Sequence, residues 1–112
     1  MKPKESSLIV YKASAGSGKT FTLAVEYIKL LIQNPTAYRN ILAVTFTNKA
    51  TGEMKERILS QLYGIANGDK DSEAYLQKIC EELEMSPEVV RTNASKALTK
   101  LIHDYSRFQV TT

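Results

Sequence analysis

The order of local patterns in the sequence predicts an α/β fold, a short parallel sheet flanked by helices. Leu8-Ile9-Val10-Tyr11 is apolar and β-prone, Phe21 to Ile32 repeats apolar residues at helical steps, and Ile41-Leu42-Ala43-Val44-Thr45-Phe46 is the strongest β-prone run in the chain. Strand, helix, strand makes a βαβ unit, whose two strands run parallel through a right-handed crossover.

Taken in order, Met1 to Ser7 reads as a loose arm and Leu8 to Lys12 as a first strand, buried on both faces as parallel strands are. A helix is expected from about Gly18 to Gln33, with Phe21, Leu23, Ala24, Tyr27, Ile28, Leu31 and Ile32 on its apolar face and Asn34-Pro35 as its stop. After the second strand, Thr47 or Asn48 caps a helix over Lys49 to about Ala66. Its buried stripe is Ala50, Met54, Ile58, Leu62 and Ile65, and Asn67-Gly68-Asp69 ends it. Asp71 or Ser72 caps a short helix from Glu73 to Leu83. Ser86-Pro87 opens a fourth, with Ser as N-cap and Pro in the first turn, running to about Asp104. Val90, Ala94, Ala97, Leu98, Leu101 and Tyr105 line its inner face, and Arg107 to Thr111 alternates as a third strand. The chain divides into a strand–loop–helix unit at 8–33, a strand and helix at 41–66, a helical insert at 71–105 and the start of a further strand at 107–112.

The stretch that carries chemistry is Ala13-Ser14-Ala15-Gly16-Ser17-Gly18-Lys19-Thr20, a variant phosphate-binding loop between the first strand and the first helix. Gly16 and Gly18 permit backbone angles that a Cβ resists, and the small Ala13, Ser14, Ala15 and Ser17 let the backbone close around a phosphate. Successive N–H groups then point into one concavity, and the helix start adds its own unpaired N–H groups. Lys19 supplies a full charge toward β- and γ-phosphates, and the Thr20 hydroxyl is a hard oxygen ligand for Mg²⁺. Lys19 and Thr20 are thus the candidate catalytic pair and Thr20 the candidate metal ligand, with ATP and Mg²⁺ as cofactors.

Composition excludes other classes. With Cys80 and His103 the single cysteine and histidine, neither an intramolecular disulfide nor a Cys/His zinc site can form. The longest apolar segment, Leu30-Leu31-Ile32, is far too short to span a bilayer, and the polar start has no signal-type run, so a cytoplasmic protein without a membrane partner is expected. A net charge of +3 is compatible with a nucleic-acid partner but does not by itself argue for one. His103, Asp104 and Arg107 read as a solvated helix end rather than an acid–base site, and Glu53 with Arg57 and Lys78 with Glu82 as i,i+4 surface pairs.

A second motif follows the second strand: Val44-Thr45-Phe46-Thr47-Asn48-Lys49-Ala50-Thr51-Gly52-Glu53-Met54-Lys55-Glu56-Arg57-Ile58. Together with the phosphate loop and Phe21-Thr22-Leu23, it resembles the superfamily 1 DNA helicases of the UvrD/Rep type, with the loop as motif I and this block as motif Ia. Thr51-Gly52 stands where Ala and a variable residue are usual. The loop wording, and the helical insert before Phe108-Gln109-Val110-Thr111-Thr112, look closer to the RecB/AddA helicase-nuclease branch. The resemblance implies part of a P-loop NTPase (RecA-like) domain in an ATP-dependent DNA helicase or helicase-nuclease acting on single-stranded DNA or DNA ends. It implies nucleotide contacts from Ala13 through Phe21 and DNA contacts among Thr45, Phe46, Thr47, Asn48 and Lys49. On the residues alone, Phe46 either stacks on a base or packs in the core, and Asn48 either contacts DNA or only caps a helix.

An enzyme of this family also needs a strand ending in paired acids and arginines from a second domain. Neither is legible between Gly68 and Thr112, and no upstream adenine-reading glutamine is evident. The expectation is an N-terminal piece of a longer helicase chain, which needs the remainder for turnover. A self-contained small P-loop nucleotide-binding or nucleotide-kinase-like module is the alternative. A regulator that binds nucleotide or DNA without turnover is a third possibility.

Overall fold

A computed structural model describes residues 17–40, 43–44, 48–108 and 110–111. Four helices make up most of it: α1 (Ser17–Gln33), α2 (Asn48–Asn67), α3 (Glu73–Leu83) and α4 (Pro87–His103). Short 3₁₀ turns at Ala37–Asn40, Lys70–Ser72 and Tyr105–Arg107 link them. Two strands, β1 (Ala43–Val44) and β2 (Val110–Thr111), pair in parallel with Ala43 opposite Val110 and Val44 opposite Thr111.

The expected α/β class is therefore corrected: the described body is helical. The two strands contribute two residues each, and the expected strand at 8–12 lies outside the described residues. So short a pairing offers almost no sheet face for helices to cover, and the apolar stripes are buried on one another instead. Met54, Ile58, Leu62 and Ile65 of α2 face Val90, Ala94, Ala97 and Leu101 of α4 across the largest helix–helix contact, and all eight are buried. Ala24 on α1 and Ala94 and Ala97 on α4 are fully covered, and such small residues let helix axes come close.

Helix ends follow their local chemistry. Gly68, at φ 76°, closes α2: its N–H donates to Ile65 O at 3.2 Å, and the Asp69 N–H donates to Gly64 O at 2.9 Å. Ser86 caps α4 by accepting from the Val89 N–H at 3.3 Å, with Pro87 next. At the end of α3 the left-handed position falls on Glu84 (φ 55°), and the Met85 N–H donates to Cys80 O at 3.1 Å.

Two expectations at the C-terminal end are also corrected. The third strand does not begin at Arg107, which belongs to a 3₁₀ turn. Tyr105 is 46% exposed rather than on the inner face, because α4 ends at His103 and the helical period stops with it. Phe108 takes the buried place, edge-on to Tyr27 with ring centroids 5.5 Å apart.

Candidate nucleotide and nucleic-acid site

The expected site residues fall at the starts of α1 and α2. Ala13 to Gly16 and Thr45, Phe46 and Thr47 lie outside the described residues. Ser17, Gly18, Lys19 and Thr20 form the first turn of α1. A first helical turn holds N–H groups without intrahelical partners and the positive end of the dipole, so it favours an anion. No acidic residue occupies the first turn of α1 or of α2, whereas α3 and α4 carry Glu73 and Glu88 there. The donor set suits a nucleotide with Mg²⁺: backbone N–H groups for phosphate, an amine at Lys19 and a hydroxyl at Thr20, with no competing carboxylate in the turn. Among the described residues no group of three His, Cys, Asp or Glu side chains is placed to hold a metal ion.

Phe21 is half-buried, its ring 4.6 Å from that of Tyr75 on α3 at an interplanar angle of 58°. The contact braces the first turn of α1 against the insert. Arg57 of α2 donates to the Tyr75 hydroxyl at 3.2 Å, so three helices converge on that ring. Asn48 and Lys49 are exposed at the start of α2, and Asn48 is already helical.

Ion pairs hold the frame. Lys29 on α1 donates to Glu82 on α3 at 2.7 Å and to Glu26 at 3.1 Å, and Lys78 adds a second cation at 3.1 Å from Glu82. The hydrogen bond to Glu82 raises the Lys29 ammonium, and the bonds from Lys29 and Lys78 hold the Glu82 carboxyl below its ordinary range. Asp104 is engaged as well: it accepts from Tyr38 and from Arg39, each at 3.0 Å, with Arg107 at 3.6 Å. Burial raises its carboxyl, but those hydrogen bonds and guanidinium charges outweigh it and hold the group below the usual carboxylate range.

Sequence reasoning missed two clusters. One is this Tyr38–Arg39–Asp104 junction. The other is Lys55, whose ammonium sits 5.0 Å from the Tyr105 ring centroid and 5.5 Å from that of Phe108. Partners so far apart in the chain leave no local trace. The Tyr27 hydroxyl is buried with no partner among the described residues, and burial raises its pKa.

The chain belongs to the UvrD/REP helicase N-terminal domain family, which matches residues 1–111. It is 36% identical over 72 residues to an ATP-dependent helicase/nuclease subunit of Alkaliphilus metalliredigens, covering 64% of this chain and 6% of that protein. It is 50% identical over 54 residues to the ATP-dependent DNA helicase PcrA of Bacillus subtilis, 48% of this chain and 7% of that one. With RecBCD enzyme subunit RecB of Escherichia coli it shares 42% over 60 residues, 46% of this chain and 5% of that one. The matched part is thus under a tenth of the length of each of these relatives. No solved structure gives a significant match. Among the described residues no helix is long and apolar enough to cross a membrane.

Proposed function

We propose that this chain is the ATP-binding segment of an ATP-dependent DNA helicase or helicase-nuclease that acts in the cytoplasm on single-stranded DNA or DNA ends. The observation that carries it is the position of Gly18-Lys19-Thr20: they form the first turn of α1, directly after Ala13-Ser14-Ala15-Gly16, in a member of the UvrD/REP helicase N-terminal domain family.

In this mechanism the N–H groups from Ala13 to Thr20 wrap the phosphates of ATP, and Phe21 steadies the turn through its contact with Tyr75. Lys19 neutralises the β- and γ-phosphates, and the Thr20 hydroxyl is the protein's ligand for Mg²⁺. When bound, the ion stabilises charge that develops on the phosphoryl oxygens. Thr45, Phe46, Thr47, Asn48 and Lys49 contact single-stranded DNA. The exposure of Asn48 and Lys49 at a helix start free of carboxylates supports this assignment. The remainder of the helicase chain supplies the groups that activate water.

Calorimetric titration of the chain with Mg-ATP tests the proposal. The Lys19→Ala variant is expected to bind about tenfold or more weakly, the loss of one charge-assisted hydrogen bond. Equal affinity of the two proteins would overturn it.

A further inference from the structure

Tyr75, in the first turn of α3, lies in neither sequence motif, yet it is 5% exposed and engaged at both ends. Its ring centroid is 4.6 Å from that of Phe21, the residue directly after Thr20. Its hydroxyl accepts from Nη1 of Arg57 on α2 at 3.2 Å. A ring packed on one neighbour and hydrogen-bonded by its hydroxyl to another has little freedom to tilt.

A second contact between α1 and α3, Lys29 with Glu82, lies eight positions further along α1 and seven further along α3. Those steps are about 12 Å and about 10 Å along the axes, so the two helices run side by side in one direction. The two contacts are unequal. The Lys29–Glu82 pair is part-exposed, and solvent and salt screen it. The ring contact adds directed attraction to the burial of apolar surface, and it is the one at the end where Lys19 and Thr20 stand.

We propose that Tyr75 is a positioning residue for the nucleotide site: held by Arg57, it fixes where the first turn of α1, with Lys19 and Thr20, meets the phosphates of ATP. This role rests on the nucleotide site proposed for the start of α1 and adds to it two residues outside the phosphate loop. Placement matters there because hydrogen bonds to phosphate weaken steeply as distance and angle depart from the optimum. Through Arg57, α2 becomes an anchor of the ATP site as well.

Calorimetric titration of the chain and its variants with Mg-ATP tests this. Tyr75→Leu removes the ring contact and is expected to bind about tenfold more weakly. Tyr75→Phe keeps the ring and loses only the bond from Arg57, for an expected loss of about threefold. Arg57→Met should match it, and Tyr75→Phe/Arg57→Met should bind no more weakly than either single variant. In a Lys19→Ala background, Tyr75→Leu is expected to cost less than about twofold, because the amine it positions is gone. Lys29→Gln opens the second contact and is expected to bind within about twofold of the parent. A tenfold loss from Tyr75→Leu in both backgrounds would reduce Tyr75 to a part of the general fold and overturn the proposal. So would full affinity in Tyr75→Leu, or a loss in Lys29→Gln as large as that in Tyr75→Leu. Parent binding that depends on Lys19 but not on Tyr75 overturns this role alone, whereas no Mg-ATP binding by the parent removes the nucleotide site and this role with it.

Discussion

The Tyr38 hydroxyl lies 3.0 Å from Asp104 Oδ2 and 3.1 Å from the Lys100 carbonyl oxygen, tying the turn after α1 to the end of α4 across a long stretch of sequence. Tyr38 is 1% exposed, whereas the Asp104 side chain is partly exposed and also accepts from Arg39 at 3.0 Å, so loss of the hydroxyl removes one bond without leaving the carboxylate unpaired. Tyr38→Phe is expected to destabilise the fold by about 0.5–1.5 kcal/mol, the net worth of an ordinary intramolecular hydrogen bond. Urea denaturation measures it, and an unchanged midpoint would refute the role given to this bond.

Asp104 also makes the junction pH-sensitive. Its folded pKa is held down, so the stabilisation is complete above the unfolded carboxylate value and is lost as pH falls through the depressed folded value. The loss should set in near the unfolded value of about 4 and continue below it. Asp104→Asn is expected to flatten that part of the stability profile while leaving Mg-ATP affinity unchanged. An ATP-binding defect would show that this carboxylate belongs to the nucleotide site.

Gly64 sits where α2 meets the following 3₁₀ turn, and a Cβ there would collide with the hydroxyl and Cβ of Ser72. Alanine gains up to about 1 kcal/mol of helix propensity, but overpacking costs about 1–3 kcal/mol. Gly64→Ala is therefore expected to lower the melting temperature. Adding Ser72→Gly, which removes both clashing atoms, should recover most of the loss. A non-additive double-mutant cycle is the readout.

Glu84 holds the left-handed position that ends α3, a place where any residue with a Cβ is strained by about 1–2 kcal/mol. Glycine relieves that strain at an entropic cost of about 0.5–1 kcal/mol in the unfolded chain. Glu84→Gly should raise stability by about 0.5–1 kcal/mol, readable as a higher denaturation midpoint.

Lys49, exposed at the start of α2, is expected to meet a phosphate of single-stranded DNA. Lys49→Ala should weaken binding to all sequences alike and reduce the slope of log affinity against log salt by about 1. A sequence-selective loss would point to base contact instead.

The sequence by itself determined the helices and their faces. The stripe Met54, Ile58, Leu62 and Ile65, the cap Ser86-Pro87 and the terminator Gly68 are all local, and local periodicity and capping chemistry predict them. The Gly-Lys-Thr run at the start of α1 and the Thr-Asn-Lys run leading into α2 were legible in the same way. Tertiary structure decided the rest. A β-prone run such as 41–46 promises a sheet only if partners extend it, and the described pairing is two residues long, so the stripes of α1, α2 and α4 pack mainly on each other. Tyr105 and Phe108 exchange places because α4 ends at His103, after which the helical period no longer says which side chain points inward. Tyr38 with Asp104, Phe21 with Tyr75 and Lys55 with Tyr105 are joined by chain folding over long separations, and no pattern within one segment encodes a partner in another.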